Sequence, residues 1–262
     1  MTAAARAGSA PGICENGGML SLTPPAARTA QRGLLISLEG GDGGGKTTQV
    51  PRVHEFLSGP ASPFAGPADQ TGVPRTAPPV LTTKEPGGSP LGAELRSLIL
   101  HSDHVAHRAE ALLYAADRAH HVDAVITPHL AAGGVVLTDR YLDSSVAYQG
   151  AGRDLPAADV ESLSMWAVDG LMPNLTLLLD IAPEKLAERR DASAHDRLER
   201  EALDFHERVR AAYLERAAQD PERWRVIDAG ADFDEVTEQL QAAITSWAQQ
   251  NAELVAQKLG PL

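Results

Sequence analysis

The sequence predicts an α/β fold, a doubly wound, five-stranded parallel sheet flanked by helices. Five short apolar, β-branched runs recur along the chain, at Leu34–Leu38, Val80–Thr83, Val135–Thr138, Leu175–Ile181 and Trp224–Ile227. Each is apolar on both faces, as a strand buried inside a parallel sheet must be. Stretches with helical spacing separate the runs, and the first run leads directly into a glycine cluster, GGDGGGKTTQ, at Gly40–Gln49. A strand that ends in a glycine turn and restarts as a helix is the opening unit of such a sheet.

Taken in order, the run Leu34–Leu38 is the first strand, and the helix after the glycine cluster carries Pro51 in its early turns, where proline is least disruptive. Residues 58–79, SGPASPFAGPADQTGVPRTAPP, are so rich in Pro, Gly and Ala that they read as a flexible surface insertion in the first crossover. Val80–Thr83 follows as the second strand. Ala106–Leu130 has apolar residues at helical spacing, and Val135–Thr138 is the third strand. After Leu175–Ile181 comes a long, charged, amphipathic helix, Leu198–Gln219, stopped by Asp220-Pro221. Trp224–Ile227 is the last strand, and Asp232–Gln249 closes the fold. The division expected is a disordered leader over 1–30, one domain over 31–250 and a tail over 251–262.

Composition narrows the function classes. With 43% hydrophobic and 22% charged residues, the 262-residue chain has enough apolar material for a real core. A formal net charge of −12 speaks against nucleic acid as a partner, because phosphate backbones demand clustered Lys and Arg. No window approaches the roughly 18 unbroken apolar residues of a membrane span. The single cysteine, Cys14, excludes an intrachain disulfide and fits a reducing compartment, with cytoplasm as the expected location. Residues 1–30 lack the apolar middle of a secretory signal. Their Ala- and Arg-bearing composition faintly resembles a transit peptide, but a disordered leader, or an over-extended start with Met19 as a later initiator, is the preferred reading.

Gly40-x-x-x-x-Gly45-Lys46-Thr47 matches the phosphate-binding loop pattern, in the strand–loop–helix context the pattern needs. In such a loop the backbone N–H groups of Gly40, Gly41, Asp42, Gly43, Gly44, Gly45 and Thr48 surround phosphates, Lys46 reaches the β and γ oxygens, and the Thr47 hydroxyl binds Mg²⁺. ATP and Mg²⁺ are therefore the expected ligands. No Asn-Lys-x-Asp segment for reading guanine occurs, which argues against a GTPase switch. Asp139-Arg140-Tyr141 ends the third strand at the carboxyl edge of the sheet, where open α/β sheets bind ligands. Asp139 can hold Mg²⁺ through water, and Arg140 can bridge phosphates. TKEPGGS, Thr83–Ser89, ends the second strand with a Gly-Gly pair that allows an unusual backbone path near a ligand, a simple turn being the alternative. Tyr114 and Arg118 lie four residues apart and share a helix face, where they could enclose a base or form a solvent-facing cation–π pair.

With these pieces in order, the chain resembles the thymidylate kinases of the nucleoside monophosphate kinase group. The resemblance rests on LEGGDGGGKTTQ, TKEPGGSPLGAELRSLIL, AEALLYAADRAHHV, LTDRYLDSSVAYQGAGR, PNLTLLLDIAPE and DRLEREALDFHERVRAAYLE, spanning about Gly33 to the C-terminus without the 58–79 insertion. It implies a P-loop NTPase fold, usually a homodimer, that transfers the γ-phosphoryl group of ATP to dTMP.

The resemblance also implies residue roles. Asp42 contacts the 3′-hydroxyl of the sugar or its associated water and arginine, and Tyr114 stacks on thymine where relatives usually have Phe. Arg118 stands beside base and phosphate, Arg96 on the base side, and Ser145 and Gln149 at the pyrimidine edge. Tyr148 crowds the 2′ position and so favours deoxyribose. Lys84, Glu85 and Pro86 belong to the acceptor side, Arg140 bridges phosphates and Asp139 helps place Mg²⁺. Two departures stand out: Lys84 replaces a common Arg, losing bidentate geometry, and the neutral Gly43 occupies a loop position that is basic in some members. Members without that basic residue supply an arginine from a mobile lid, here expected at about 189–197, RRDASAHDR. Arg189, Arg190 and Arg197 are its cationic candidates, with Arg153 of QGAGR a further one from another loop. A kinase for another nucleotide or nucleoside, or a non-catalytic nucleotide-binding relative, are the alternative readings.

Overall fold

The computed structural model describes residues 32–65, 76–182, 184–185 and 201–260. Five strands form one wholly parallel sheet: β1 (Leu34–Gly40), β2 (Val80–Lys84), β3 (Val135–Asp139), β4 (Leu175–Asp180) and β5 (Trp224–Asp228). Their spatial order is β2-β3-β1-β4-β5. The order reverses on either side of β1, so the crevice at the carboxyl end of β1 and its neighbours is the place for a ligand. Register sets the crevice depth: Leu38 pairs with Asp139, and Lys84 pairs with that same Asp139.

The helices are α1 (Lys46–Ser58), α2 (Pro90–His101), α3 (His107–His121), α4 (Thr127–Ala131), α5 (Leu142–Ser145), α6 (Ala157–Ala167), α7 (Leu203–Gln219), α8 (Phe233–Gln250) and α9 (Ala252–Leu259). Leu34, Ile36 and Leu38 of β1 and Leu175, Leu177 and Leu179 of β4 meet Val53 and Leu57 of α1 and Leu240 and Ile244 of α8 in one core. The opposite layer packs Leu35, Val136, Ile126 and Leu130 around Tyr141 and Leu142. The alternation of β1 side chains between these two cores explains why the run is apolar at successive positions.

Three places differ from the expected organisation. Within 58–79, read as a surface insertion, Phe64 is 1% exposed and belongs to the main core. It is the one aromatic in a Pro/Gly/Ala stretch, and burying it fastens the start of the segment. The stretch 251–262, read as a tail, contains helix α9. Its Val255 is buried, and its Lys258 carbonyl accepts a hydrogen bond from Gly33 N at 2.8 Å, ahead of β1. The expected helix over Ala106–Leu130 is α3 and α4 joined by a wider turn at Val122–Ile126, where Thr127 N bonds the Val122 carbonyl five residues back. The leader and the 189–197 lid lie outside the described residues.

Candidate active site

Gly40 ends β1 at φ 137°, and a Cβ there would strike the Leu179 carbonyl of β4, so only glycine lets the chain leave the sheet at this point. Gly45, at φ 92°, is the N-cap of α1 and brings no side chain to cap it; its carbonyl takes the Thr48 and Gln49 amides, at 3.1 and 3.0 Å, and the amides of Lys46 and Thr47 ahead of them are left for an anion. Lys46 is buried, with Nζ bonded to the carbonyls of Gly40 at 2.9 Å and Gly41 at 2.8 Å. Burial lowers its pKa to about 8; nearby Arg140 lowers it too, while Asp139, Asp42 and Glu39 oppose both. Thr47 and Thr48 face solvent on the helix's first turn.

Across the crevice, β3 delivers Asp139 and Arg140. Arg140 has φ 68°, an uncommon backbone for a side-chain-bearing residue, and bonds on every side fix it. Its N donates to the Leu38 carbonyl at 2.9 Å and its carbonyl accepts from Thr138 Oγ1 at 2.8 Å. The next amide, Tyr141 N, donates to Glu39 Oε1 at 2.8 Å. The guanidinium thus reaches the Asp42 carboxylate, Ser144 Oγ at 3.1 Å and the Tyr148 hydroxyl at 3.1 Å. Burial alone would raise the Asp42 pKa, but Arg140, Lys46 and the Tyr148 hydroxyl, which donates at 2.7 Å, hold it below the usual carboxylate range. Asp139 Oδ1 is buried and has no hydrogen-bond partner among the described residues.

Glu39, beneath this corner, was not singled out in the sequence. Its Oε2 accepts from Ser144 Oγ at 2.6 Å and from the Tyr213 hydroxyl at 3.0 Å, and the carboxyl is fully buried. Burial pushes its pKa up to about 7, and Asp143 adds to the rise against Ser144, Arg140 and the Tyr141 amide. The only signal was an acid at the end of an otherwise apolar strand, LLISLE.

The far wall comes from β2, α2 and α3. Glu85 takes Arg118 Nε at 2.6 Å on one oxygen and His121 Nδ1 at 3.0 Å on the other, all buried. The His121 ring is closed from behind by Thr83 Oγ1 at 2.7 Å, and a Cβ on Gly88 would run into that ring. The Gly-Gly pair therefore lets the loop pass over a buried histidine. Arg118 is not part of a solvent-facing pair with Tyr114: its guanidinium is buried, bonds Ser145 Oγ at 3.1 Å, and lies 5.9 Å from the Tyr141 ring centre. Arg96 bonds the Pro86 carbonyl at 3.0 Å. Tyr148 and Gln149 lie on a widened turn, Val146–Gly152, where Arg153 N bonds the Tyr148 carbonyl five residues back.

These walls line a cleft whose empty space, the open solvent at its mouth included, is about 490 Å³, bordered by Asp42, Glu85, Pro86, Arg96, Leu100, Tyr114, Arg118, Arg140, Ser144, Ser145, Tyr148 and Gln149. Every acceptor-side residue expected from the sequence lines it except Lys84, which ends β2 exposed. A second cavity, about 770 Å³, lies on the other side of the same loop, against Gly43, Gly44, Gly45, Thr48, Asp232 and Phe233. Arg153, a candidate catalytic cation, does not line the cleft. It is committed to Glu201 Oε1 at 2.5 Å and Glu110 Oε1 at 3.4 Å, because a buried arginine next to two carboxylates is held by them. Glu110, fully buried, also takes Gln149 Nε2 at 2.9 Å and was likewise not anticipated. Arg189, Arg190 and Arg197 lie outside the described residues.

The family model described as thymidylate kinase matches residues 38–240. A thymidylate kinase of Clavibacter sepedonicus is 51% identical over 213 residues, covering 80% of this chain and 93% of its own. One of Leifsonia xyli subsp. xyli is 50% identical, covering 82% of this chain and 96% of its own. The crystal structure of thymidylate kinase from Ehrlichia chaffeensis superposes with a TM-score of 0.61 at 27% identity, covering 81% of this chain and 99% of the other. A shared sequence over most of both chains, with the same sheet beneath it, establishes that this chain belongs to the thymidylate kinase family.

Proposed function

We propose that the protein transfers the γ-phosphoryl group of ATP to dTMP, giving dTDP and ADP, with the 490 Å³ cleft as the acceptor site and the second cavity as the donor site. The observation that carries the reading is that both cavities share one loop: Asp42 lines the first, and Gly43, Gly44 and Gly45 line the second. Two ligands seated in them meet over Lys46 and Arg140.

The acceptor phosphate is already anionic, so the reaction needs no general base and depends on holding two polyanions in line. Lys46 exchanges its contacts with the Gly40 and Gly41 carbonyls for phosphate oxygens. Arg140, locked by its backbone and by Asp42, presents a preorganised charge to the phosphate being transferred, a form of stabilisation that needs no rearrangement during the reaction. Tyr114 stacks on the base, Arg96, Arg118, Ser145 and Gln149 surround its edge, and Tyr148 crowds the 2′ position. A cation from Arg189, Arg190 or Arg197 compensates for the neutral Gly43.

The residues fit Mg²⁺. Asp139 offers a buried, unpartnered carboxylate oxygen and Thr47 an exposed hydroxyl, both hard oxygen ligands beside the loop. No group of three metal-ligating side chains occurs among the described residues, as suits an ion that takes its other ligands from phosphate and water. Bound there, Mg²⁺ supplies charge neutralisation to the phosphates.

We also place the protein in the cytoplasm as a homodimer. Supporting this, no helix among the described residues is long and apolar enough to cross a membrane, and Leu98, Leu112 and Trp166 are more than half exposed. Light scattering on purified protein tests the oligomer. For the reaction, an ADP-release assay with Mg²⁺ and a panel of monophosphates and nucleosides should show dTMP preferred. Preference for dUMP, CMP or a free nucleoside overturns the assignment, and binding of ATP and dTMP without ADP release makes the protein a non-catalytic relative.

A further inference from the structure

Gln149 is 1% exposed and lines the cleft, so the direction its amide faces is a question about what the cleft recognises. The oxygen and nitrogen of a glutamine amide have nearly the same shape, and a neighbouring group decides which of them turns inward. Here the neighbour is Glu110, which takes Gln149 Nε2 at 2.9 Å and is itself fully buried on α3. An ionised carboxylate only accepts. Arg153 keeps it in that role, reaching Oε1 through Nε and Oε2 through Nη2, each at 3.4 Å. Arg153 is in turn fixed by Glu201 at 2.5 Å and by the Phe205 ring, 5.1 Å from its guanidinium carbon. The amide nitrogen must therefore face Glu110, and the amide oxygen remains as the group Gln149 can offer to a ligand.

Across the cleft, Arg118 is spoken for at Nε by Glu85 and at Nη2 by Ser145 and the Tyr141 carbonyl. Its Nη1 is buried and has no partner among the described residues. The lining thus holds an acceptor, Gln149 Oε1, and an uncommitted donor, Arg118 Nη1, with further donors on Arg96 and Ser145. Thymine carries the complement, a donor at N3–H next to an acceptor at O4. Cytosine carries the reverse, an acceptor at N3 next to a donor at the 4-amino group, and mismatches both.

From this we infer that Glu110 is a positioning residue which, by orienting the Gln149 amide, makes the acceptor cleft select thymine over cytosine; the inference rests on the dTMP reading above. Glu110 does not touch the base and acts through Gln149. A residue that could donate in its place would let the amide turn over and present its NH₂ to cytosine N3.

The test is Glu110→Gln, which keeps shape and adds a donor. The quantity read is the ratio of kcat/KM for dTMP to that for dCMP, with thermal melts and the KM for ATP measured alongside. The expected result is a fall in that ratio of about tenfold or more, the scale of one mismatched base contact, with the ATP KM unchanged. A lowered melting temperature with the wild-type ratio retained would show a structural role only and overturn the inference. Should Glu110→Gln not fold, Gln149→Met leaves Glu110 in place; it must lower kcat/KM for dTMP while leaving dCMP alone, and an unchanged ratio overturns the inference equally. If the wild-type enzyme itself fails to prefer dTMP, it is the functional reading that falls.

Discussion

Arg140 grips the Asp42 carboxylate across the crevice from a backbone at φ 68°, so the glycine loop after β1 and the carboxyl end of β3, the proposed donor and acceptor sides, are tied by one ion pair. The same guanidinium also reaches Ser144, Tyr148 and Tyr213, which uses the width of its planar fork. An ammonium group has no such fork. Arg140→Lys is therefore expected to lower kcat by about 100-fold, the scale of losing one preorganised transition-state contact, while the melting temperature changes little. Steady-state kinetics and a thermal melt on the same preparation check both halves.

Glu39 gives a pH dependence with a definite sign. Its pKa is raised to about 7 in the fold from the 4.5 of an ordinary glutamate, so between those pH values the native state keeps a proton that the unfolded chain has lost. Stability contributed by this group is full below pH 4.5 and declines as pH rises through 7, by about 3 kcal/mol. Glu39→Gln removes the term. Urea melts of both proteins from pH 5 to 8 should show the wild type losing stability relative to the variant as pH rises, and parallel curves would contradict the assignment.

Lys46 titrates near pH 8 when its partners are two loop carbonyls and a crowd of charges. Polyphosphate replacing those carbonyls favours the charged form. ATP binding at pH 8 is expected to take up about half a proton, and less at pH 7 where Lys46 is already charged. Calorimetry in buffers of different ionisation enthalpy measures the uptake, and Lys46→Met should abolish it.

Asp143 is fully buried between Arg216, at 2.6 Å, and Arg223, at 2.6 Å, and so joins α5 to α7 and to the approach to β5. Asp143→Ala leaves both guanidinium groups without their shared acceptor. A loss of about 3 kcal/mol in unfolding free energy is expected, at the low end for breaking a buried ion pair because Glu161 and Asp220 remain. Chemical denaturation measures it, with the KM for ATP expected to stay at its wild-type value.

What could be read from the chain was what is local in it. The loop Gly40–Thr47 is contiguous, and its glycines and lysine declare themselves without any knowledge of distant residues. The three central strands, β1, β3 and β4, were legible because burial on both faces leaves apolar runs, whereas the edge strands β2 and β5 are partly exposed, carry Thr82, Lys84 and Arg225, and showed only as short β-branched runs between helices. Glu39, within LEGGDGGGKTTQ, carries no local signal of its role, because its partners Tyr141, Ser144 and Tyr213 are 102, 105 and 174 residues away. Glu110 reads as an ordinary acid in the first turn of a helix, favourable there for the helix dipole, and only the fold shows it turned inward onto Gln149. Phe64 was masked by its neighbours: composition described the segment, whereas a single side chain decided where it sits.

The bond from Gly33 N to the Lys258 carbonyl brings the two ends of the folded body side by side. β1 then runs its seven residues, about 20 Å, before it reaches the phosphate loop. Residues 33 and 258 therefore lie together at the amino end of the central strand, opposite the crevice. A tether to a surface, or a short linker joining residues 33 and 258 with new termini opened elsewhere, can be installed there away from both proposed nucleotide sites.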